Sequence, residues 1–202
     1  MELVLKKMEI YAKEYHVPII NENGKAVLTK IIADKKPHNV LEIGTAIGYS
    51  ALLIAENSAE DVRITTLELS EERASVARVF INESKYAKNV EIMLGDAAEL
   101  LDKLDACYDL VFIDAAKGQY LNYFHKILPM LADKGVIIAD NVLFRGYVQS
   151  EEKPPRRYKT IVARLREYIE TVMHHAEFDT TIYENGDGLA VSYHRGKNIE
   201  KT

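Results

Sequence analysis

The chain has 202 residues, 48% hydrophobic and 28% charged, with 26 basic against 31 acidic side chains and a net charge of −5. That balance excludes a disordered chain, a collagen and a coiled coil, and gives no global field steering the protein to nucleic acid. The single cysteine, Cys107, excludes an intrachain disulfide and cysteine-pair zinc sites, and no apolar run reaches the ~20 residues that span a bilayer.

Met1 to Tyr11 alternates charged and apolar residues and lacks a signal-peptide core, so a reduced, soluble, cytoplasmic protein is expected. No repeat, linker or boundary interrupts the chain, and residues 1–202 read as one domain. Glu2 to Glu14 carries apolar residues at helical spacing, and Pro18 disfavours helix at Val17. A second helix is expected over Glu22–Lys35. Five strand-then-helix units follow. The strands are Asn39–Ile43, Arg63–Leu67, Val90–Leu94, Leu110–Ile113 and Gly135–Ala139. The helices are Ser50–Glu56, Glu71–Ser84 with Ser70 as N-cap, Ala97–Leu104, Gln119–Leu131 and Arg157–His174. Phe178–Tyr183 and Leu189–His194 flank Asn185-Gly186-Asp187-Gly188 and read as an antiparallel hairpin. The pattern is that of an α/β fold: a seven-stranded, mostly parallel sheet closed by a C-terminal antiparallel hairpin.

Open α/β sheets bind ligands beyond the carboxyl ends of their strands. Here those ends carry the Gly44–Ser50 turn, then Glu68, Gly95-Asp96, Asp114 to Lys117, and Asp140-Asn141. Acidic side chains follow four of the five strands, a rim suited to a cationic ligand or a metal rather than a phosphate. A dinucleotide fingerprint starting at Gly44 would need glycines where Ala46 and Tyr49 stand. The turn therefore suits backbone approach by a ligand without a pyrophosphate cradle; a plain tight turn is the competing reading. Glu68 lies where an acid bonds ribose hydroxyls in nucleotide-type folds, or else is a solvated loop carboxylate. Asp96 is placed to cap the helix that begins at Ala97, and either residue could meet an adenine edge. Asp114, Asp140 and Asn141 are hard oxygen donors at the ends of adjacent strands, a set that selects Mg²⁺, Ca²⁺ or Mn²⁺ over zinc. Capping of turns explains each of the three singly but not their convergence.

Val40-Leu41-Glu42-Ile43-Gly44-Thr45-Ala46-Ile47-Gly48-Tyr49-Ser50 resembles the first motif of class I S-adenosylmethionine (SAM)-dependent methyltransferases. Phe112-Ile113-Asp114-Ala115-Ala116-Lys117, Ala139-Asp140-Asn141-Val142-Leu143 and Gly186-Asp187-Gly188-Leu189-Ala190 resemble the metal-dependent catechol and caffeoyl-CoA O-methyltransferases. The resemblance covers nearly the whole chain and implies a Rossmann-like class I fold. It implies that Gly44 and Ser50 meet the cofactor's methionine part, Glu68 its ribose, Asp96 and Ala97 its adenine, and Ile20 its lid side. It further implies that Asp114, Asp140 and Asn141 bind Mg²⁺, with Asp114 also near the cofactor, and that Lys117 is catalytic. Residues 1–36 would form a helical lid or dimer segment, and a homodimer is expected on this ground alone. The chain has no tryptophan, a departure from the animal catechol enzymes.

His16-Val17-Pro18-Ile19-Ile20 with Asn21 to Gly24, and Asn141 to Gly146, look similar to bacterial tRNA 5-hydroxyuridine methyltransferases. Lys153 to Arg166 adds six basic residues and no acidic one, a stretch suited to positioning a tRNA anticodon arm through its phosphates. The expected reaction is methylation of wobble 5-hydroxyuridine to 5-methoxyuridine. The alternatives are a small catechol-type acceptor and a non-catalytic nucleotide-binding module. Arg164 and Arg166 are also readable as the solvated face of a helix, and Lys117 as a surface lysine at a helix start.

Overall fold

The computed structural model describes residues 1–196. They fall into two compact units, Met1–Asp105 and the residues from Ala106 onward.

The first unit runs α1 (Glu2–Glu14), α2 (Glu22–Lys35), β1 (Asn39–Ile43), α3 (Tyr49–Asn57), β2 (Arg63–Glu68), α4 (Glu71–Glu83), β3 (Val90–Leu94) and α5 (Ala97–Leu101). β1 pairs in parallel with β2, Asn39 opposite Arg63 through Ile43 opposite Leu67, and β2 pairs in parallel with β3. The apolar runs seen in the sequence are the reason: Val40, Leu41, Ile43, Ile64 and Leu67 are each at most 1% exposed. Each such side chain contributes about 1.5–3 kcal/mol by leaving water. Asn21 caps α2 by accepting from Gly24 N, and Ser70 caps α4 by accepting from Arg73 N. α5 stops at Leu101 rather than Leu104. Lys103 N and Leu104 N bond back only three residues, to Leu100 O and Leu101 O, so the last turn tightens and ends the helix.

The second unit runs β4 (Tyr108–Ile113), a 3₁₀ turn (Lys117–Gln119), α6 (Tyr120–Ile127), a second 3₁₀ turn (Leu128–Met130), β5 (Leu131–Asp140), a third 3₁₀ turn (Arg156–Tyr158), α7 (Lys159–His174), β6 (Phe178–Tyr183) and β7 (Leu189–His194). The order here is β4-β5-β7-β6, with β4 and β5 parallel and the two β7 pairings antiparallel. The expected helix over Gln119–Leu131 is shorter, because Pro129 lacks the N–H that an α-helix needs and its turn tightens to 3₁₀. β5 accordingly starts at Leu131, before Gly135, and its pairing with β4 shifts register between Tyr108 and Leu110. α6 buries Tyr120, Tyr123, Phe124 and Ile127, and α7 buries Val162, Leu165, Tyr168 and Val172. Both follow helical spacing. Their aromatic rings meet edge to face, Tyr120 with Tyr168 at 5.7 Å and Phe124 with Tyr168 at 6.2 Å.

Seven strands with an antiparallel C-terminal hairpin are thus present as expected. Among the described residues no helix is long and apolar enough to cross a membrane.

Candidate active site

In the first unit the predicted residues gather at the carboxyl ends of β1, β2 and β3. The Gly44–Ser50 turn takes left-handed backbone at Gly44 (φ 106°), Ala46 (φ 46°) and Gly48 (φ 84°). Gly44 N and Thr45 N donate to Leu67 O at 2.9 and 3.2 Å, tying the turn to the end of β2. Beneath it lies a buried relay. The Thr45 hydroxyl meets Thr66 Oγ1 at 2.6 Å, and Thr66 in turn donates to Glu42 Oε2 at 2.5 Å. Glu42, Thr45 and Thr66 are each at most 1% exposed.

Glu68 is 6% exposed and not the solvated loop carboxylate of the competing reading. Its Oε2 accepts from Ala46 N at 2.8 Å and its Oε1 from Ser70 N at 2.9 Å. One carboxylate therefore clamps the glycine turn and the entry to α4. Asp96 does cap α5, accepting from Ala98 N and Glu99 N, which leaves Ala97 in the first turn beside it. Ser50 lies in the first turn of α3, whose N-cap Gly48 supplies no side chain, so the amides there remain available to an anionic group. Ile20, between α1 and α2, is 6% exposed and packs where a Cβ on Gly24 would come within 3.0 Å of it.

In the second unit Ile113 of β4 pairs with Ala139 of β5, and one step beyond each stand Asp114 and Asp140. Burial pushes the carboxyl of Asp114 above its ordinary value, against the opposing pull of Lys117. Burial first, then the charge of Asp114, pushes Asp140 up to about 7. Two desolvated carboxylates, one of which raises the other, are short of positive charge. Lys117 Nζ supplies part of it, 3.7 Å from Asp114 Oδ1 with both side chains part-buried. Asn141 has left-handed backbone (φ 55°), and its amide donates to Asp140 Oδ1 at 2.7 Å. Asp114, Asp140 and Asn141 thus form a hard oxygen set whose charge deficit fits a divalent cation. Among the described residues no group of three or more His, Cys, Asp or Glu side chains could hold a metal; this set has two carboxylates and an amide.

One supporting residue, Tyr120, escaped the sequence reading, and another, Asp187, was read there only as part of the hairpin turn and its motif. The buried Tyr120 hydroxyl donates to Asp140 O at 2.9 Å, with Ile113 O at 3.5 Å, and so bridges the ends of β5 and β4. Its signal in the sequence is only an aromatic residue six positions past Asp114. Asp187, in the hairpin, accepts from Arg145 N through Oδ1 and from Leu143 N through its carbonyl, while Gly188 O accepts from Val142 N. Any Cβ at Gly188 (φ 80°) would collide with Leu143, which explains the glycine. The Gly186-Asp187-Gly188 motif therefore holds the segment after Asn141.

The basic stretch divides in two. Arg164 donates to Gly118 O at 2.9 Å, and Arg166 bonds the carbonyls of Tyr147, Val148 and Ser150. These two anchor main chain rather than forming a merely solvated face. Lys153, Arg156, Arg157 and Lys159 are exposed. Arg157 lies 4.6 Å over the Tyr158 ring, and Arg145 lies 5.7 Å from the same ring while bonding its hydroxyl at 3.2 Å. Phe144 and Tyr147 complete an aromatic cluster around Tyr158.

The sequence profile of the O-methyltransferase family matches residues 2–194. The caffeoyl-CoA O-methyltransferase of Stellaria longipes is 28% identical over 81% of this chain and 70% of its own length. The catechol O-methyltransferase of Niastella koreensis is 35% identical over 56% of this chain and 53% of its own. Among solved structures, the O-methyltransferase TomG of Streptomyces achromogenes, in complex with SAM, superposes with a TM-score of 0.84 at 26% identity, covering 96% of this chain and 90% of that one. These likenesses bear out the Rossmann-like class I fold, and the chain belongs to the O-methyltransferase family as a SAM-dependent O-methyltransferase.

Proposed function

We propose that the enzyme methylates the 5-hydroxyl of 5-hydroxyuridine at the wobble position of tRNA, giving 5-methoxyuridine, with Mg²⁺ held by Asp114, Asp140 and Asn141. The observation that carries the acceptor is the pair of exposed cations Arg145 and Arg157 on the half-buried Tyr158 ring, with the exposed Arg156 next in the chain, all following the Asp140-Asn141 end of β5 in the sequence. Cations interleaved with aromatic rings suit phosphates and unstacked bases together, and a net charge of −5 over the whole chain argues against a diffuse basic field.

In this reading Gly44, Ser50, Glu68, Asp96 and Ala97 bind SAM. Ser50 and the open first turn of α3 face its carboxylate, and Glu68 its ribose. Ile20 bounds the cofactor from the segment before α2. Methyl transfer to oxygen is an in-line displacement, and alignment of the reacting atoms supplies up to ~7–11 kcal/mol of the lowered barrier. A bound divalent cation supplies charge that favours the ionised acceptor hydroxyl. The adjacent 5-hydroxyl and O4 of the base offer two oxygens to such a site. Lys117 Nζ takes the acceptor proton, with Asp114 orienting its ammonium form afterwards.

A second reading has its own support: the catechol and caffeoyl-CoA enzymes among the relatives favour a small acceptor with vicinal hydroxyls. Nucleoside mass spectrometry of tRNA from cells lacking the protein separates the two. Loss of 5-methoxyuridine with accumulation of 5-hydroxyuridine is expected; unchanged 5-methoxyuridine would leave the small acceptor.

A further inference from the structure

One carboxylate oxygen in the first unit gathers three elements. Glu9 Oε1, on α1, accepts from the Tyr49 hydroxyl at 2.5 Å and from Lys25 Nζ, on α2, at 3.0 Å. The same ammonium lies 5.5 Å from the Tyr49 ring centroid and 3.8 Å from Glu22 Oε1. Tyr49 is the first residue of α3, standing between Gly48, with its left-handed φ of 84°, and Ser50. It is 2% exposed, so its ring is fixed by packing while its hydroxyl reaches the N-terminal helices.

The cluster differs from an ordinary surface pair. Lys7 and Glu83 also join α1 to a later helix, but their side chains keep 51% and 43% of their surface in water. Such pairs are worth little. The Glu9 side chain is nearly as open, at 39%, but its oxygen receives two donors at once, one from the buried Tyr49 and one from Lys25 at 27%, and charge-assisted bonds of that kind are the stronger ones. The Tyr49 and Lys25 donors hold the Glu9 carboxyl below its ordinary range. Burial, then Glu9, keeps the Tyr49 hydroxyl protonated above its own.

We propose that Glu9, Lys25 and Tyr49 form a latch through which the seating of α1 and α2 sets the Gly44–Ser50 turn, making them positioning residues for SAM. The latch rests on the reading that this turn receives SAM. Its logic is mechanical and reciprocal. Withdrawal of α1 removes the acceptor of the Tyr49 hydroxyl, and withdrawal of α2 removes the ammonium that holds that acceptor in place, so either loosens the residue adjoining Gly48 and Ser50. Occupation of the turn by SAM must then favour the docked helices by the same free energy. Neither Glu9 nor Lys25 belongs to the Gly44–Ser50 motif, so the motif alone does not reveal them.

The test is steady-state kinetics and SAM calorimetry on Tyr49→Phe, Glu9→Gln and their double variant, with hydrogen exchange over residues 1–50. Each single variant should raise KM and Kd for SAM about three- to tenfold, part of the value of a charge-assisted bond. The loss should fall on SAM rather than on kcat or the acceptor KM, and the double variant should be no worse than either single one. SAM should slow exchange in α1 and α2 of the wild type and not of Tyr49→Phe. Lys25→Met, on the more open side of the cluster, gives the same comparison if Tyr49→Phe folds poorly. Unchanged SAM affinity in the single variants, or losses that simply add, overturns the latch. Glu68→Ala run alongside isolates the premise: if it too leaves SAM affinity unchanged, the assignment of the turn fails, whereas if it alone weakens SAM, only the latch fails.

Discussion

Lys117 Nζ stands 3.7 Å from Asp114 Oδ1, where Lys117 opens the 3₁₀ turn that follows β4. The pairing places the proposed base against a carboxylate that burial has already made costly to ionise. Lys117→Ala should lower kcat by ~10²–10⁴-fold, the usual worth of a general base. SAM affinity should change little, and part of the rate should return at higher pH, where the acceptor ionises unaided. Single-turnover rates against pH, with calorimetry for SAM, check this. A change confined to acceptor KM would make Lys117 a positioning residue.

Asp140 gives a pH prediction. Its folded-state value of about 7 lies above the ordinary carboxylate value. Its contribution to stability is therefore full below about pH 4 and lost as pH rises through about 7. In protein stripped of divalent cations, holding the ionised carboxylate at pH 8 costs on the order of 4 kcal/mol at most. Asp140→Asn should then melt higher than wild type at pH 8 in EDTA, with the difference vanishing towards pH 4. Its carbonyl can still accept from Asn141 N. Excess Mg²⁺ should raise the wild-type Tm and leave the variant unmoved, while the variant loses turnover. A wild-type Tm that Mg²⁺ does not move at pH 8 would remove Asp114, Asp140 and Asn141 as its site.

Glu68 holds Ala46 N and Ser70 N at once. Glu68→Ala therefore removes the proposed ribose acceptor and the clamp on the turn together. SAM affinity should fall about 10–100-fold, as for loss of hydrogen bonds to a charged group. Glu68→Gln keeps one amide acceptor and should fall between the two. Calorimetry reads the series; equal affinities across it would dissociate Glu68 from the cofactor.

The exposed cations supply a test of the acceptor. Arg156, Arg157 and Lys159 replaced together by glutamine should cripple methylation of hydroxylated tRNA and spare any side activity on a small catechol. Arg164 and Arg166 are left in place because they anchor main chain. Wild-type tRNA activity should fall steeply between low and moderate salt, and catechol activity should not. Equal loss of both activities in the triple variant would make the patch structural.

Much of this protein was legible one residue at a time. The two N-terminal helices, β1, β3, β6 and β7 lie where the apolar spacing and the Pro18 and Gly186 breaks put them. Ser70 and Asp96 cap the helices they precede. These features depend on interactions within a few positions of the chain, which composition and period report directly. The turn-bearing strand ends were legible for the same reason, since a loop must follow each strand. Boundaries failed where local tightening won, at Leu101 and at Pro129.

What only the tertiary structure decided is who holds whom across long separations. That Glu68 clamps Ala46, that Tyr120 ties Asp140 to the end of β4, that Asp187 pins Arg145, and that Arg164 and Arg166 serve main-chain carbonyls are all pairings of residues far apart or on different elements. The convergence of Glu9, Lys25 and Tyr49 is another. A charged or hydroxyl side chain has the same chemistry at every position of a sequence. Its partner, and the burial that sets the strength of the bond, exist only once the chain has folded.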